Sequence, residues 1–197
     1  CPMPIVSAST PSDCFSAVFE AMRIAITHTS PVLLMSDGYI ANGAEPWKFP
    51  QSAELPKIEV VFKGPRAAED PAFEPYLRDE NLVRPWAVPG TAGLEHRIGG
   101  LEKQNITGNV SYDPENHQLM VNIRQQKVDK VAEDIPLQTI DQGPEEGRVL
   151  VLGWGSTYGA IKSAVRELLE EGYPVAHAHL RYLRPFPGNL GELLKKY

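Results

Sequence analysis

The chain has 197 residues, 42% of them apolar, which suits one medium domain or two small ones with a real core. Lys and Arg number 19 against 25 Asp and Glu, a formal charge of −6 that argues against nucleic acid or an anionic membrane as partner. No run of about 18 apolar residues occurs, so no membrane-spanning helix is expected. The cysteines, Cys1 and Cys14, form no Cys-x-x-Cys pair, which fits a reducing cytoplasm and no disulfide framework, zinc site or iron–sulfur site built from this chain alone.

The chain opens Cys1-Pro2-Met3-Pro4 and stops on Leu193-Leu194-Lys195-Lys196-Tyr197, which reads as helix. It begins with neither an initiator Met nor a targeting segment, so both ends read as cut and a piece of a longer protein is expected. Residues 5–8 read as a short buried strand. Thr10 then suits a helix N-cap, Pro11 the first helical position and Asp13 the capping-box position. The helix that follows carries Phe15, Val18, Phe19, Met22 and Ile26 at helical spacing, a single apolar face expected to meet the core. Residues 31–35 read as a second buried strand, ending in the turn Ser36-Asp37-Gly38. Strand, helix and strand in sequence suggest one βαβ unit of a parallel sheet.

From 42 to 109 the character changes. Prolines at 46, 50, 56, 65, 71, 75, 85 and 89 remove backbone donors and break up regular elements, while Trp47, Phe49, Phe62, Phe73, Tyr76 and Trp86 argue against disorder. An ordered, irregular excursion is expected, with one strand at 58–62. Asp113-Pro114 opens a second helix, running to about Asp134, whose apolar stripe (Met120, Ile123, Val128, Val131, Ile135) is interrupted by Arg124 and Lys127. Residues 136–147, rich in Pro, Gly and acids, read as an interdomain linker. A second α/β unit follows: a buried strand at 149–152, a helix capped by Ser156 or Thr157 and carrying Ile161, Ala164, Val165, Leu168 and Leu169, a C′ Gly172, and a strand at 175–180. Pro185-Phe186-Pro187 turns the chain into a last helix near Asn189.

Several motifs lie where chemistry is often found, and each has a plainer reading. Gly153-Trp154-Gly155-Ser156-Thr157-Tyr158-Gly159 follows a strand and opens a helix, but its spacing is G-x-G-x-x-x-G and no acid ends the next strand, so a tight strand-to-helix turn is favoured over a dinucleotide site. His177 and His179 alternate on a strand and share a face; without a third ligand nearby, a packed structural role is favoured over a metal site. Asp13 and Asp37 follow the carboxyl ends of strands, where open parallel sheets bind ligands; capping and turn roles are favoured. Cys14 lies inside a capped helix, no G-x-S-x-G is present, and Cys14 is expected to be buried rather than nucleophilic. The sequon Asn105-Ile106-Thr107 is expected to be a chance triplet.

Taken together, ordered segments resemble one family. Ile5-Val6-Ser7-Ala8-Ser9-Thr10-Pro11-Ser12-Asp13-Cys14-Phe15 and Pro31-Val32-Leu33-Leu34-Met35-Ser36-Asp37-Gly38-Tyr39-Ile40-Ala41-Asn42-Gly43 are similar to the later half of the pyrimidine-binding domain in alpha subunits of 2-oxoacid:ferredoxin oxidoreductases, the 2-oxoglutarate type in particular. Arg84-Pro85-Trp86-Ala87-Val88-Pro89-Gly90-Thr91, His96-Arg97-Ile98-Gly99-Gly100 and Thr107-Gly108-Asn109-Val110-Ser111 resemble its long insert. Gly153 to Gly159 with Leu183-Arg184-Pro185-Phe186-Pro187 resembles the start of its transketolase-C-terminal-like domain.

The resemblance implies an α/β fold of two partial parallel-sheet units of the thiamine-diphosphate-enzyme kind, joined by a long irregular insert and a linker helix. Residues 1–112 would be the end of the pyrimidine-binding domain with its insert, 113–147 the linker helix and loop, and 148–197 the start of the transketolase-C-terminal-like domain. It implies a cytoplasmic enzyme in which alpha and beta subunits hold thiamine diphosphate between them. The beta side carries the diphosphate and its divalent metal, iron–sulfur clusters pass electrons to ferredoxin, and coenzyme A takes the acyl group. The family's activating glutamate, its Tyr-Pro-x-Thr-Pro loop and its substrate arginine precede the matched segment, so the resemblance assigns no catalytic residue, cofactor contact or metal ligand here. Scaffold and beta-subunit interface are the expected roles, with no activity or cofactor binding by this piece alone, and marginal stability from unpaired sheet edges. Two other readings compete: a non-catalytic two-domain α/β binding or assembly module, and a nucleotide-binding domain using the 153–159 turn.

Overall fold

Strand β1 (Ile5–Ser7) has partners on both sides. In the computed structural model, which describes residues 2–197, it pairs in parallel with β2 (Leu33–Met35), Ile5 facing Leu33 and Ser7 facing Met35. On the other side β5 (Tyr182–Arg184) runs antiparallel to it, with Val6 opposite Tyr182. Helix α1 (Asp13–Thr27) makes the crossover from β1 to β2, so the expected βαβ unit is present. A short helix α2 (Gly38–Asn42) follows β2 where the sequence suggested only a turn; Asp37 caps it and Ile40 is buried.

The second parallel pair is β3 (Leu150–Trp154) and β4 (Ala176–Leu180), with Leu150 opposite Ala176 and Trp154 opposite Leu180. Helix α4 (Tyr158–Glu170) joins them and ends as expected at Gly172, φ +89°. There the amides of Gly172 and Tyr173 bond the carbonyls of Leu169 and Leu168 at 3.0 and 2.9 Å, which satisfies the last open carbonyls of the helix. Only Arg181 separates β4 from β5, so this segment leaves one sheet and enters the other directly. Helix α5 (Leu190–Leu194) closes the chain with Leu190 and Leu193 buried.

Helix α3 (Pro114–Lys130) starts as its sequence predicts. Asp113 accepts the Glu115 amide at 3.0 Å, and a proline occupies the first turn, where no backbone donor is needed. The helix tightens into a 3₁₀ turn, Val131–Glu133, and delivers Val131 and Ile135 to a core with Val6, Ile24 and Tyr182. A second apolar cluster holds Ala8, Ala17 and Ile40. Around the first core, Asp134 accepts from Arg23 at 2.6 Å and meets His28 at 3.0 Å, while Glu20 takes Arg23 and the Tyr182 hydroxyl, both at 2.8 Å. Burial alone would raise the Asp134 carboxyl, but the Arg23 and His28 hydrogen bonds outweigh it and hold it low.

Residues 136–147, read as a linker, are held along the outer edge of β4. Asp141 and Gln142 pair with His177 through the backbone, and the Asn189 side chain clamps the Gln138 backbone, accepting its amide at 2.8 Å and donating to its carbonyl at 2.9 Å. The insert has the irregular character its prolines dictate, with one 3₁₀ turn, Ser52–Glu54, and isolated bridges. The strand expected at 58–62 is absent; only Phe62 bridges, to Trp86, because nearby prolines cannot donate to a ladder. Asn116 of α3 bolts the insert down, accepting the Asn105 amide at 2.9 Å and donating to the Lys103 carbonyl at 3.0 Å. Asn105, the sequon residue, itself accepts Arg78 at 2.8 Å.

Burial overturns parts of the expected core. The strand read as buried at 31–35 forms the sheet edge, and Leu33, Leu34 and Met35 are 44%, 36% and 37% exposed because no described element covers it. Val149 and Leu152 of the strand read as buried at 149–152 are likewise exposed, since β3 is an edge of a two-stranded sheet. On α1 the core face is Ala17, Ala21 and Ile24, and the bulky stripe of Phe15, Val18 and Met22 points outward. Small residues let the helix approach the sheet closely; the outer stripe is only partly covered, with Trp47 tilted against Phe15 at 5.2 Å. Consequently Ile24→Ala, at a fully buried site, lowers unfolding free energy by about 2–5 kcal/mol. Met22→Ala, on the outer face, costs less than about 1 kcal/mol. Urea melts of the two variants check the ordering, and equal losses would return the core to the outer stripe.

Candidate functional site

The residues singled out in the sequence meet at the carboxyl ends of β1, β2 and β3. Beyond β1, the Ser7 amide bonds the Arg181 carbonyl at 2.8 Å, and the Arg181 guanidinium pairs with Asp13 Oδ1. Asp13 Oδ2 accepts the Ser9 amide and hydroxyl, both at 2.9 Å, and the Asp13 amide donates to Thr10 Oγ1 at 3.2 Å. Helix α1 starts at Asp13 with Ser12 at the N-cap, two residues later than the sequence suggested; Thr10 still accepts the Asp13 amide, and the Asp13 carboxylate reaches back to Ser9, one residue beyond the Thr10 amide of a capping box. Glu45, which no local pattern marks, completes this end: its Oε1 accepts Thr10 Oγ1 at 3.0 Å and the Ser12 amide at 3.1 Å.

Beyond β2, Asp37 Oδ1 accepts the amides of Tyr39 and Ile40 at 3.0 and 2.9 Å. Its other oxygen receives the Ser156 amide at 3.4 Å, across from the second parallel pair. Ser156 and the Ile40 and Tyr39 amides hold the Asp37 carboxyl below its ordinary range. Gly155 makes the turn through a left-handed conformation, φ +64°, that favours glycine; a Cβ there would meet Ser7 Oγ and Asp37 Oδ2 only at ordinary contact, 3.6 and 3.7 Å.

The glycine-rich turn is therefore a strand-to-helix joint. A side chain at Gly153 would strike Ile161 of α4, so that glycine serves helix–strand packing. Neither Ser156 nor Thr157 caps α4 with its side chain; the Thr157 hydroxyl donates to the Trp154 carbonyl at 2.7 Å. The amide at this turn that a phosphate would use is turned to Asp37, a carboxylate of the same chain.

His177 and His179 pack together beside Tyr158 of α4, ring centres 5.7 Å apart and 5.8 and 4.9 Å from the tyrosine ring. His177 is 0% exposed, and neither ring nitrogen has a partner. His179 Nε2 lies 3.1 Å from the Gly155 carbonyl, which can only accept, so Nε2 carries the proton and the buried Nδ1 is the bare lone pair. Burial pushes both imidazoles below their ordinary value. Among the described residues no group of three His, Cys, Asp or Glu is placed to hold a metal ion. Cys14 is half-buried with its sulfur 3.6 Å from the Thr10 carbonyl; burial, then Asp13, raise its thiol and leave it a poor nucleophile. Cys1 lies outside the described residues.

The buried imidazoles give a pH dependence of known sign. Their folded-state pKa lies below the unfolded value of about 6.5, so in that window the unfolded chain binds protons that the folded chain does not. Stability therefore falls as pH drops through about 6.5. His177→Phe removes one contributor, and urea midpoints at neutral and mildly acidic pH should change less in that variant than in the parent.

Comparison with known proteins gives concordant matches. Residues 1–112 match the family described as pyruvate flavodoxin/ferredoxin oxidoreductase, thiamine diphosphate-binding. Along its whole length the chain is 49% identical to the KorA subunit of 2-oxoglutarate oxidoreductase from Mycobacterium tuberculosis, covering 29% of that protein. It is 28% identical to the alpha subunit of 2-oxoacid:ferredoxin oxidoreductase 1 from Aeropyrum pernix, covering 30% of it. In three dimensions it is similar to 2-oxoglutarate:ferredoxin oxidoreductase from Magnetococcus marinus, solved with 2-oxoglutarate, coenzyme A and succinyl-CoA bound. The TM-score is 0.81 at 25% identity, over 99% of this chain and 33% of that one. The chain thus spans 29% and 30% of the length of these curated relatives.

Proposed function

Because the chain belongs to the pyruvate flavodoxin/ferredoxin oxidoreductase family, through its thiamine diphosphate-binding region, we propose that it is part of an alpha-type subunit of a 2-oxoglutarate:ferredoxin oxidoreductase. The observation that carries this is the 49% identity, unbroken along the chain, to a 2-oxoglutarate oxidoreductase subunit. In this reading the whole enzyme oxidatively decarboxylates 2-oxoglutarate, transfers the acyl group to coenzyme A and passes electrons through iron–sulfur clusters to ferredoxin, in the cytoplasm. Among the described residues no helix is long and apolar enough to cross a membrane.

The described residues do not fit thiamine diphosphate as a self-sufficient site. At the strand-end edge Asp13 is spent on Ser9 and Arg181, and Asp37 on the amides of Tyr39, Ile40 and Ser156. No described cluster of acids or imidazoles would hold the metal of its diphosphate. The carbon chemistry belongs to the cofactor in the whole complex, and no step of it is assigned to this chain. What the chain contributes is framework: residues 1–112 as the end of the pyrimidine-binding domain, a support at 113–147, and 148–197 as the start of the transketolase-C-terminal-like domain. The uncovered faces of β2 and α1 fit contact with the rest of that assembly, including a beta subunit that brings the diphosphate and its divalent metal.

The test is viologen reduction by the full reading frame co-expressed with a beta-subunit frame. Reduction that needs both subunits and coenzyme A, and runs faster with 2-oxoglutarate than with pyruvate, is expected; the 197-residue chain alone should give none. Faster turnover of pyruvate would keep the family and move the substrate. No reduction by a folded, cofactor-loaded complex would favour a non-catalytic assembly module.

A further inference from the structure

Arg124 and Lys127 interrupt the apolar stripe of α3, and the proposed reaction makes no use of them. The fold brings them to two arginines of the insert. Arg78 Nη2 lies 3.7 Å from the sulfur of Met120, one helical turn before Arg124. The guanidinium groups of Arg78 and Arg84 both lie against Tyr76, 5.3 and 4.0 Å from its ring centre. Lys127 Nζ donates to the Thr29 carbonyl at 3.0 Å. Burial first, then Arg78, Arg84 and Arg124, push the Lys127 amine down to about 8. Burial and then Arg84 lower Arg78 as well.

Little on the chain balances this charge. Among the described residues the carboxylate bonded to the set is Glu102, which is committed to Arg124 through two contacts of 3.2 Å and to His117 at 2.7 Å. The C-terminal end of α1, where Lys127 bonds Thr29 and Trp86 Nε1 bonds the Ile26 carbonyl at 3.1 Å, supplies only about half a negative charge. Positive charge stays in excess in a partly desolvated place, an arrangement that favours an anion from outside.

Geometry shows where that anion would sit. Arg84, Pro85 and Trp86 form one wall of a cleft of about 530 Å³ whose other side includes Thr29, Ser30 and His96. Arg84 Nε is spent on the Pro75 carbonyl at 2.8 Å, but Nη1 and Nη2 have no partner among the described residues. Thr29 Oγ1 in the same cleft is buried and has no partner either. An arginine with two partnerless guanidinium nitrogens and a residue with an unsatisfied buried hydroxyl line the same cleft, a donor set an oxyanion accepts: the fork takes two oxygens and the hydroxyl can donate to another.

We infer that the cleft between the C-terminal end of α1 and the Arg84–Trp86 strip binds an oxyanion, the phosphoryl or carboxylate group of a small ligand. The site lies apart from the strand-end edge and does not depend on the proposed reaction.

Titration calorimetry of the full reading frame, co-expressed with its beta-subunit frame, with inorganic phosphate, and separately with succinate, tests it. Saturable binding of at least one is expected. Arg84→Gln should weaken it by about tenfold or more. Arg148→Gln, which removes an exposed charge elsewhere, should leave it unchanged. Binding of phosphate alone assigns a phosphoryl ligand and binding of succinate alone a carboxylate. Thr29→Val keeps every charge and the side-chain shape, so weaker binding by that variant supports the site even if Arg84→Gln fails to fold. No saturable binding of either anion, or an equal loss in Arg148→Gln, overturns the inference.

Discussion

The structure depends on β1 being paired on both edges. Its backbone would otherwise leave a row of unsatisfied donors and acceptors beside the main core, where Val6 meets Ile24, Val131, Ile135 and Tyr182. The parallel partner β2 arrives locally, through α1. The antiparallel partner β5 comes from more than 170 residues away, directly behind β4. That distant pairing brings Tyr182 into the core and Arg181 to Asp13, and it sets the second parallel pair against the first.

The polar groups at the strand ends follow from that arrangement. Once Arg181 and the Gly155 turn lie over the ends of β1 and β2, Asp13 and Asp37 face cationic and amide donors from the same chain, and their lone pairs are filled. A carboxylate whose partners are all internal has traded ligand binding for cohesion. The same turn leaves His177 sealed and His179 half-buried beside Tyr158, both held below their ordinary range because charge is costly there.

The outer surface has the opposite character. Leu33, Leu34 and Met35 on β2 and Phe15, Val18 and Met22 on α1 present apolar area that a free-standing small domain usually covers. Its location, on the free edge of the sheet and the outer face of the crossover helix, accords with a chain that matches relatives more than three times its length. The insert is secured differently, by Asn116, by Glu102 with Arg124, and by arginines stacked on Tyr76, so polar contacts hold what its prolines keep from forming a ladder.

By itself the sequence determined the local elements. The Asp113-Pro114 cap, the Gly172 stop, the α4 periodicity and the proline-broken insert all follow from single-residue backbone preferences acting over a few positions. The family resemblance was also legible, in the order of its motifs, as was the structural use of Asp13, Asp37 and the 153–159 turn. Tertiary structure alone decided which face of α1 is inside. Periodicity marks an apolar stripe but cannot say whether a small-residue face packs more closely, and here Ala17, Ala21 and Ile24 displaced the bulkier side. It alone decided that residues 182–184 cross to the first sheet, that Glu45 caps α1, and that four cations from α3 and the insert converge, because each depends on contacts between residues far apart in the chain, which no local pattern encodes.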